Sequence, residues 1–268
     1  MDKFYTLATV SSGVVSLTLK YLNLDPNEVL FIEPSAGNGS FSNEVSKRGY
    51  KVLAYDIEPE HPSILKQDFL TLEINKKLLQ EKYGADTVFV TIGNPPFGFA
   101  CSQAIKFFNK CAEFSSCIAF ICPKTFRKPS VHNKLNKNFH LVQEYEIPDK
   151  SFIKDGEIKS VPCVYQIWQY QSQLRPVKAG HLNKYLKIVP ASQADFAMRR
   201  VGGNAGKILD GLEHSKSSTY FFKEMRTGVK EFLQTVDFEN IRNNTAGVRS
   251  ISQLEIYEVL EEKFNDIF

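Results

Sequence analysis

Residues 94–97 read Asn-Pro-Pro-Phe, with Gly98 next. Pro95 and Pro96 have no backbone N–H, so a strand must stop there, and two locked φ angles in series fix the direction of the flanking carbonyls. An amide side chain, a rigid carbonyl and an aromatic ring side by side could hold something in place at this strand end, such as a planar group that carries an amine. The Asn94 side-chain oxygen and the Pro95 carbonyl can each accept one amine hydrogen. Those bonds favour a pyramidal nitrogen with its lone pair out of conjugation, and they stabilise positive charge growing on it. Phe97 supplies a flat face for the ring, and stacking of this kind is worth ~1–3 kcal/mol per base. Most of the acceleration at such a corner comes from alignment, where ~7–11 kcal/mol is accessible to well-oriented reactants.

A second constellation lies upstream. The stretch "FIEPSAGNGSF" places Glu33, Ser35, Ala36, Gly37 and Gly39 between an apolar run and a helical one. Missing side chains in such a turn let a ligand approach the backbone. A dinucleotide does not suit it. The third glycine position holds Ser42, and a pyrophosphate would be repelled by Glu33, whereas an ammonium group would be attracted. Asp56-Ile57 comes about 20 residues further on, where an acid can accept both hydroxyls of a ribose. Asp68-Phe69 pairs a carboxylate, able to accept an exocyclic amine, with an aromatic beside it. Together these positions describe a nucleoside with an amino acid tail and no phosphates, which is S-adenosylmethionine.

The elements that must position these residues follow from the pattern of apolar runs. Residues 28–34, 50–59, 63–70, 86–96 and 117–123 read as strands, with helical stretches at 40–49, closed by Gly49, and at 100–114. A polar helical piece is expected up to Asn138. "FHLVQEYEIP" and "VPCVYQIWQY", joined by a loop carrying Asp155-Gly156, predict an antiparallel pair at a sheet edge. Strands alternating with helices predict an α/β fold, a doubly wound, mostly parallel sheet covered on both faces. Such sheets bind ligands beyond the carboxyl ends of their strands, where strand order reverses. Glu33, Asp56, Asp68 and Asn94 all fall at such ends. After Tyr170 the alternation is lost, so residues 1–170 are expected to form the ligand-binding catalytic domain. Residues 171–268 are expected to form a smaller C-terminal appendage that recognises the target. It closes on a helix with a Ser252/Glu255 capping box.

"EPSAGNG", "YDIEP", "QDFL" and "NPPF", in that order and at those spacings, resemble the class I S-adenosylmethionine-dependent methyltransferases, and within them the adenine-N6 amino-methyltransferases. The resemblance covers residues 1–170 and implies a Rossmann-like sheet of seven strands. It also implies S-adenosylmethionine as cofactor and methyl transfer to the N6 amine of adenine in nucleic acid, with DNA ahead of RNA. "KFYTLATV" resembles the segment that precedes the first strand in that family, which adds Tyr5 and Thr6 to the cofactor set. Two other readings stand beside it: a protein glutamine methyltransferase, since an amide nitrogen poses the same problem, and a catalytically silent nucleic-acid-binding module on the same fold. The first ordinarily carries Tyr at the fourth motif position, where this chain has Phe97.

Composition is that of an ordinary globular chain: 268 residues, 43% hydrophobic, 24% charged, net charge +3. The charge is locally uneven. Residues 122–143 hold Lys124, Arg127, Lys128, Lys134 and Lys137 with no acid, and residues 171–207 hold seven basic residues against Asp195 alone. Lys124, Arg127, Lys128, Arg199 and Arg200 are therefore the candidate contacts to a nucleic acid backbone, the last two beside "VGGNAGK", whose amides could join them. Five cysteines without a CxxC pair predict buried reduced thiols, and His61, His132, His140, His181 and His214 lack ligand spacing, so no metal is expected. The N-terminus shows no signal pattern and no apolar run approaches membrane-spanning length, which predicts a cytoplasmic protein.

Overall fold

The computed structural model describes residues 3–178 and 184–264; His181 and part of the second basic stretch lie outside them. The chain divides into two compact units. One comprises the described residues up to Pro123 together with Lys134–Pro176, the other Lys124–Asn133 together with the described residues from Val177 onward.

In the first unit, β1 (Tyr5–Thr6) and α1 (Ala8–Leu22) precede β2 (Val29–Glu33), and α2 (Ser40–Lys47) leads to β3 (Lys51–Asp56) and the short β4 (Leu65–Lys66). Next come α3 (Lys76–Tyr83), β5 (Val88–Gly93), α4 (Ser102–Cys111) and β6 (Cys117–Pro123). After α5 (Pro129–His132), which belongs to the second unit, the first is completed by β7 (Phe139–Glu146), β8 (Phe152–Lys154), β9 (Glu157–Lys159) and β10 (Cys163–Tyr170). The seven-stranded sheet runs β4-β3-β2-β5-β6-β10-β7. The pairs from β4 to β6 are parallel and both β10 pairs are antiparallel. The fold is thus α/β with a mostly parallel sheet, and strand order reverses between β2 and β5.

Burial explains why these segments became strands and helices. All five residues of β2 and all seven of β6 are buried, as expected of strands covered on both faces. In α4 the buried residues are Ala104, Phe107, Phe108 and Cys111, an i, i+3, i+4, i+7 stripe. Each of the two phenylalanines withdrawn from water contributes about 1.5–3 kcal/mol. The expected edge pair is present, with β7 outermost and β10 beside it. Asp155 and Gly156, with φ of 53° and 77°, lie instead at the tip of an extra hairpin, β8–β9, and β8 pairs with β1. The stretch at 63–70 yields only two strand residues. The expected helix before Asn138 is a 3-10 turn at Lys124–Arg127 followed by one turn of α5.

The second unit holds β11 (Leu186–Ile188), β12 (Phe196–Arg199), β13 (Ile208–Leu209) and β14 (Thr219–Glu224), an antiparallel sheet in the order β11-β14-β12-β13. It continues with α6 (Val229–Thr235), α7 (Glu239–Arg242) and α8 (Gln253–Val259). Met198, Phe222, Val229, Leu233, Ile256 and Leu260 are among its core residues. The capping box at Ser252 and Glu255 is formed. The division differs from one drawn at Tyr170: the chain leaves the first unit after Pro176, and Lys124–Asn133 packs with the second. Among the described residues, no helix is long and apolar enough to cross a membrane.

Candidate active site

The carboxyl ends of β2, β3 and β5 open onto a cleft of about 520 Å³, within the ~300–1,000 Å³ usual for small-molecule sites. Tyr5, Thr6, Glu33, Ser35, Ala36, Gly37, Asp56, Ile57, Asp68, Phe69, Asn94, Pro95, Pro96 and Phe97 all line it. The sheet thus brings together almost every cleft residue expected from the sequence. Gly39 is the exception. It does not line the cleft; with φ of 81° it turns the chain into α2.

Glu33, the last residue of β2, is 1% exposed. Its Oε2 accepts the Ser42 N–H at 2.8 Å, so this carboxyl serves one of the unpaired amides in the first turn of α2. Burial pushes the group up to about 8, partly offset by the bonds from Ser42 and reinforced by the charge of Asp56. Gly93, with φ of 151°, takes a backbone conformation that residues with a side chain rarely adopt, and a Cβ there would meet Glu33 Cγ at an ordinary 3.5 Å. Asp56 holds the glycine turn in shape, its Oδ2 accepting the Gly37 N–H at 2.7 Å and its Oδ1 the Glu58 N–H at 2.8 Å. Each oxygen keeps a second lone pair for a ligand. The Tyr5 ring lies over Gly37, 3.1 Å from where a Cβ would be, and its hydroxyl donates to Glu60. Lys3 bridges to Glu58 at 3.0 Å. Asp68 closes its own turn by accepting the Leu70 N–H. Phe69 is a core residue, packed against Tyr55, Phe107 and Phe114, that shows an edge to the cleft.

Beyond β5 the corner is built as its residue types demand. Pro95 is buried, and the described residues contain no cis peptide. The Phe97 carbonyl accepts the Gln103 N–H at 3.1 Å, which starts α4. Asn94 Nδ2 donates over long distances, 3.4 Å to the Phe4 carbonyl and 3.3 Å to Thr6 Oγ1. Because a carbonyl can only accept, Phe4 fixes which way round the amide lies. Asn94 Oδ1 is buried and makes no hydrogen bond. Such an orphaned acceptor ordinarily costs about 1–3 kcal/mol. Among the described residues, no group of His, Cys, Asp and Glu could hold a metal ion.

Several lining residues carried no sequence signal of their own: Lys3, Phe4, Glu58, Gln67, Gln103 and Phe107. The apolar stripe of α4 includes Phe107 and is the signal that could have found it; Gln103 lies one helical turn before it, off that stripe. The backbone role of Phe4 was not readable.

None of the five basic candidates lines the cleft; all belong to the second unit. Lys128 is 7% exposed and its Nζ meets Glu255 Oε2 at 2.8 Å and the Ser250 carbonyl at 3.0 Å. That buried pair closes it to a phosphate, contrary to the expectation from charge clustering. Lys124 and Arg127 lie in the 3-10 turn after β6, Arg127 reaching Asn244 Oδ1. Arg199 donates to Ser218 Oγ at 2.9 Å, and the Arg200 guanidinium lies 5.2 Å from the Tyr220 ring centroid. The amides of Gly202, Ala205, Gly206 and Lys207 all donate within the protein, which takes these four out of the backbone cradle expected of the loop.

The structure is therefore of the α/β class with a nucleoside-sized cleft at its topological switch point. No family model matches the chain, and neither does any curated protein. Solved structures do. A protein assigned as an RNA methyltransferase from Pyrococcus horikoshii shares 17% identity over 60% of this chain and 84% of its own, with a TM-score of 0.42. An S-adenosylmethionine-dependent methyltransferase from Anabaena variabilis shares 13% over 64% and 88%, with a TM-score of 0.40. Another, from Clostridium acetobutylicum, shares 14% over 81% and 92%, with a TM-score of 0.32. The functional reading rests on the cleft itself.

Proposed function

We propose that this chain is a methyltransferase that uses S-adenosylmethionine to methylate the exocyclic N6 amine of adenine in a nucleic acid. The observation that carries the reading is Asn94 Oδ1, an acceptor without a partner at the end of β5, in a cleft lined by acids.

The residues present fit the cofactor. Asp56, Glu58 and Asp68 outnumber Lys3 around the cleft, which favours a cation such as a sulfonium or ammonium and opposes a phosphate. Glu33 and the Gly37 turn would hold the amino acid end, Asp56 the ribose hydroxyls, and Ile57, Asp68 and Phe69 the adenine. When bound, S-adenosylmethionine supplies an electrophilic methyl group.

The chain's own residues then do the rest. Asn94 Oδ1 and the Pro95 carbonyl would each accept a hydrogen bond from the acceptor amine. An amine donor reaches the covered Oδ1 once the side chain turns, and the bond relieves an acceptor that is otherwise unsatisfied. Phe97 sets the plane of the ring. The two prolines prevent the corner from yielding, so the nitrogen is held in line instead of being chased by a mobile loop. All five cysteines are buried and none is joined in a disulfide.

The test is transfer of labelled methyl to DNA and to RNA in parallel, followed by nuclease digestion and identification of the labelled nucleoside. Expected is N6-methyladenosine or its deoxy form, with Asn94→Ala lowering kcat about 100- to 1,000-fold while cofactor binding is kept. Label in a protein glutamine instead, or no binding of S-adenosylmethionine, would overturn the proposal.

A further inference from the structure

The loop that follows the proline corner is strained and ends in the open. Phe99 is 94% exposed, the largest value among the exposed large hydrophobic side chains of the described residues. It sits between residues in unusual conformations: Gly98 has φ of 68°, Ala100 of 49° and Cys101 of 64°. Alanine and cysteine rarely adopt left-handed backbone, and such outliers gather where function requires a set geometry. The loop is nonetheless locked at both ends. Cys101 is 4% exposed, and a Cβ on Gly98 would come within 2.7 Å of Gln103 Cγ. Phe97 before it and Gln103 after it both line the cleft, so Phe99 is carried on a fixed base at the cleft mouth. Its Cα lies within ~7.6 Å of that of Phe97, two peptide units along the chain.

From Asn94 to Lys110 the sequence has no acid; Lys110 is paired with Glu113 at 2.8 Å, which leaves Lys106 as the cation of the segment, so it suits a polyanion better than a basic peptide. A bare phenyl ring offers no hydrogen bond but a face on which any base can stack. We infer that Phe99 is a positioning residue that stacks on the nucleobase next to the target adenine and holds the strand at the cleft mouth. The inference rests on the nucleic-acid reading above, and it adds a contact outside the transfer corner. It predicts a preference for single-stranded or looped substrate, where the neighbouring base is free to meet the ring.

The experiment compares wild type with Phe99→Ala, Phe99→Trp and Phe99→Leu. A short fluorescent oligodeoxyadenylate and its ribo-counterpart are titrated with S-adenosylhomocysteine present, and methyl transfer to the same strands is measured. Expected for Phe99→Ala is unchanged binding of S-adenosylmethionine, with oligonucleotide affinity weakened about 5- to 150-fold, the loss of one base–aromatic stack. KM should rise by a like factor with kcat little changed, and Phe99→Trp should restore what Phe99→Leu does not. Equal affinity for wild type and Phe99→Ala, or full rescue by leucine, overturns the inference while leaving the transfer reaction standing. If wild type neither binds nor methylates either strand but labels a protein, the acceptor reading and this inference both fall.

Discussion

Replacing Glu33 by glutamine separates the cost of burying an acid from its use. Glu33 is 1% exposed, and the ionised group facing it is Asp56, a like charge; Ser42 supplies the compensating hydrogen bonds. Its carboxyl stands at about 8 against an ordinary 4.5. The difference, about 8 − 4.5, is about 3.5 units, or roughly 5 kcal/mol at ~1.36 kcal/mol per unit. The folded chain therefore keeps a proton that the unfolded chain has released. The stability linked to this proton is fully present below about pH 4.5, declines as the pH rises, and is gone above about pH 8. Glu33→Gln carries no such proton, so its advantage over wild type should widen by about 3–5 kcal/mol between about pH 5 and about pH 9. Urea unfolding of the ligand-free protein, with hydrogen exchange at the β2 amides to isolate the first unit, measures the gap. The same variant should bind S-adenosylmethionine more weakly, because the wild-type carboxylate becomes worth its burial only against a cation. A gap that stays constant across this range would refute the assignment of Glu33 as a buried acid held neutral in the empty cleft.

Two further outcomes follow from the geometry. Asp56→Ala removes the acceptor for the Gly37 and Glu58 amides; calorimetric titration should show S-adenosylmethionine affinity down at least about tenfold, with Asp56→Asn intermediate. Lys128→Met leaves Glu255 buried without its cation and should destabilise the chain by about 3–5 kcal/mol in thermal unfolding, whereas a lost phosphate contact would leave stability unchanged.

What could be read in the sequence was what local chemistry dictates. Prolines end strands wherever they occur, and apolar runs between turn residues become buried strands, so Glu33, Asp56 and Asn94 could be placed at sheet ends before any coordinates. What could not be read was pairing across long separations. β1 meets β8 through Tyr5↔Ile153, and Lys128 meets Glu255, partners chosen by the folded chain and unmarked by spacing. Charge clustering misled for the same reason: a lysine among lysines looks solvated until its distant carboxylate is known. In the second unit β11 and β13 have only three and two residues, too short for an alternating pattern to be recognised.

The N-terminal segment then explains why the two ends of the cleft act together. Lys3 and Tyr5 are tied to Glu58 and Glu60 on the acidic side, while Phe4 and Thr6 accept from Asn94 on the side of the proline corner. Residues 3–6 thus touch the acidic side and the proline corner within four positions, held in place by pairing with β8. In the proposed reaction the Asn94 side chain must let go of Phe4 and Thr6 before its oxygen meets an amine, so the resting orientation of the amide is set by a backbone group ninety residues away in sequence. The motif supplies the amide, and the N-terminal segment sets which way round it rests.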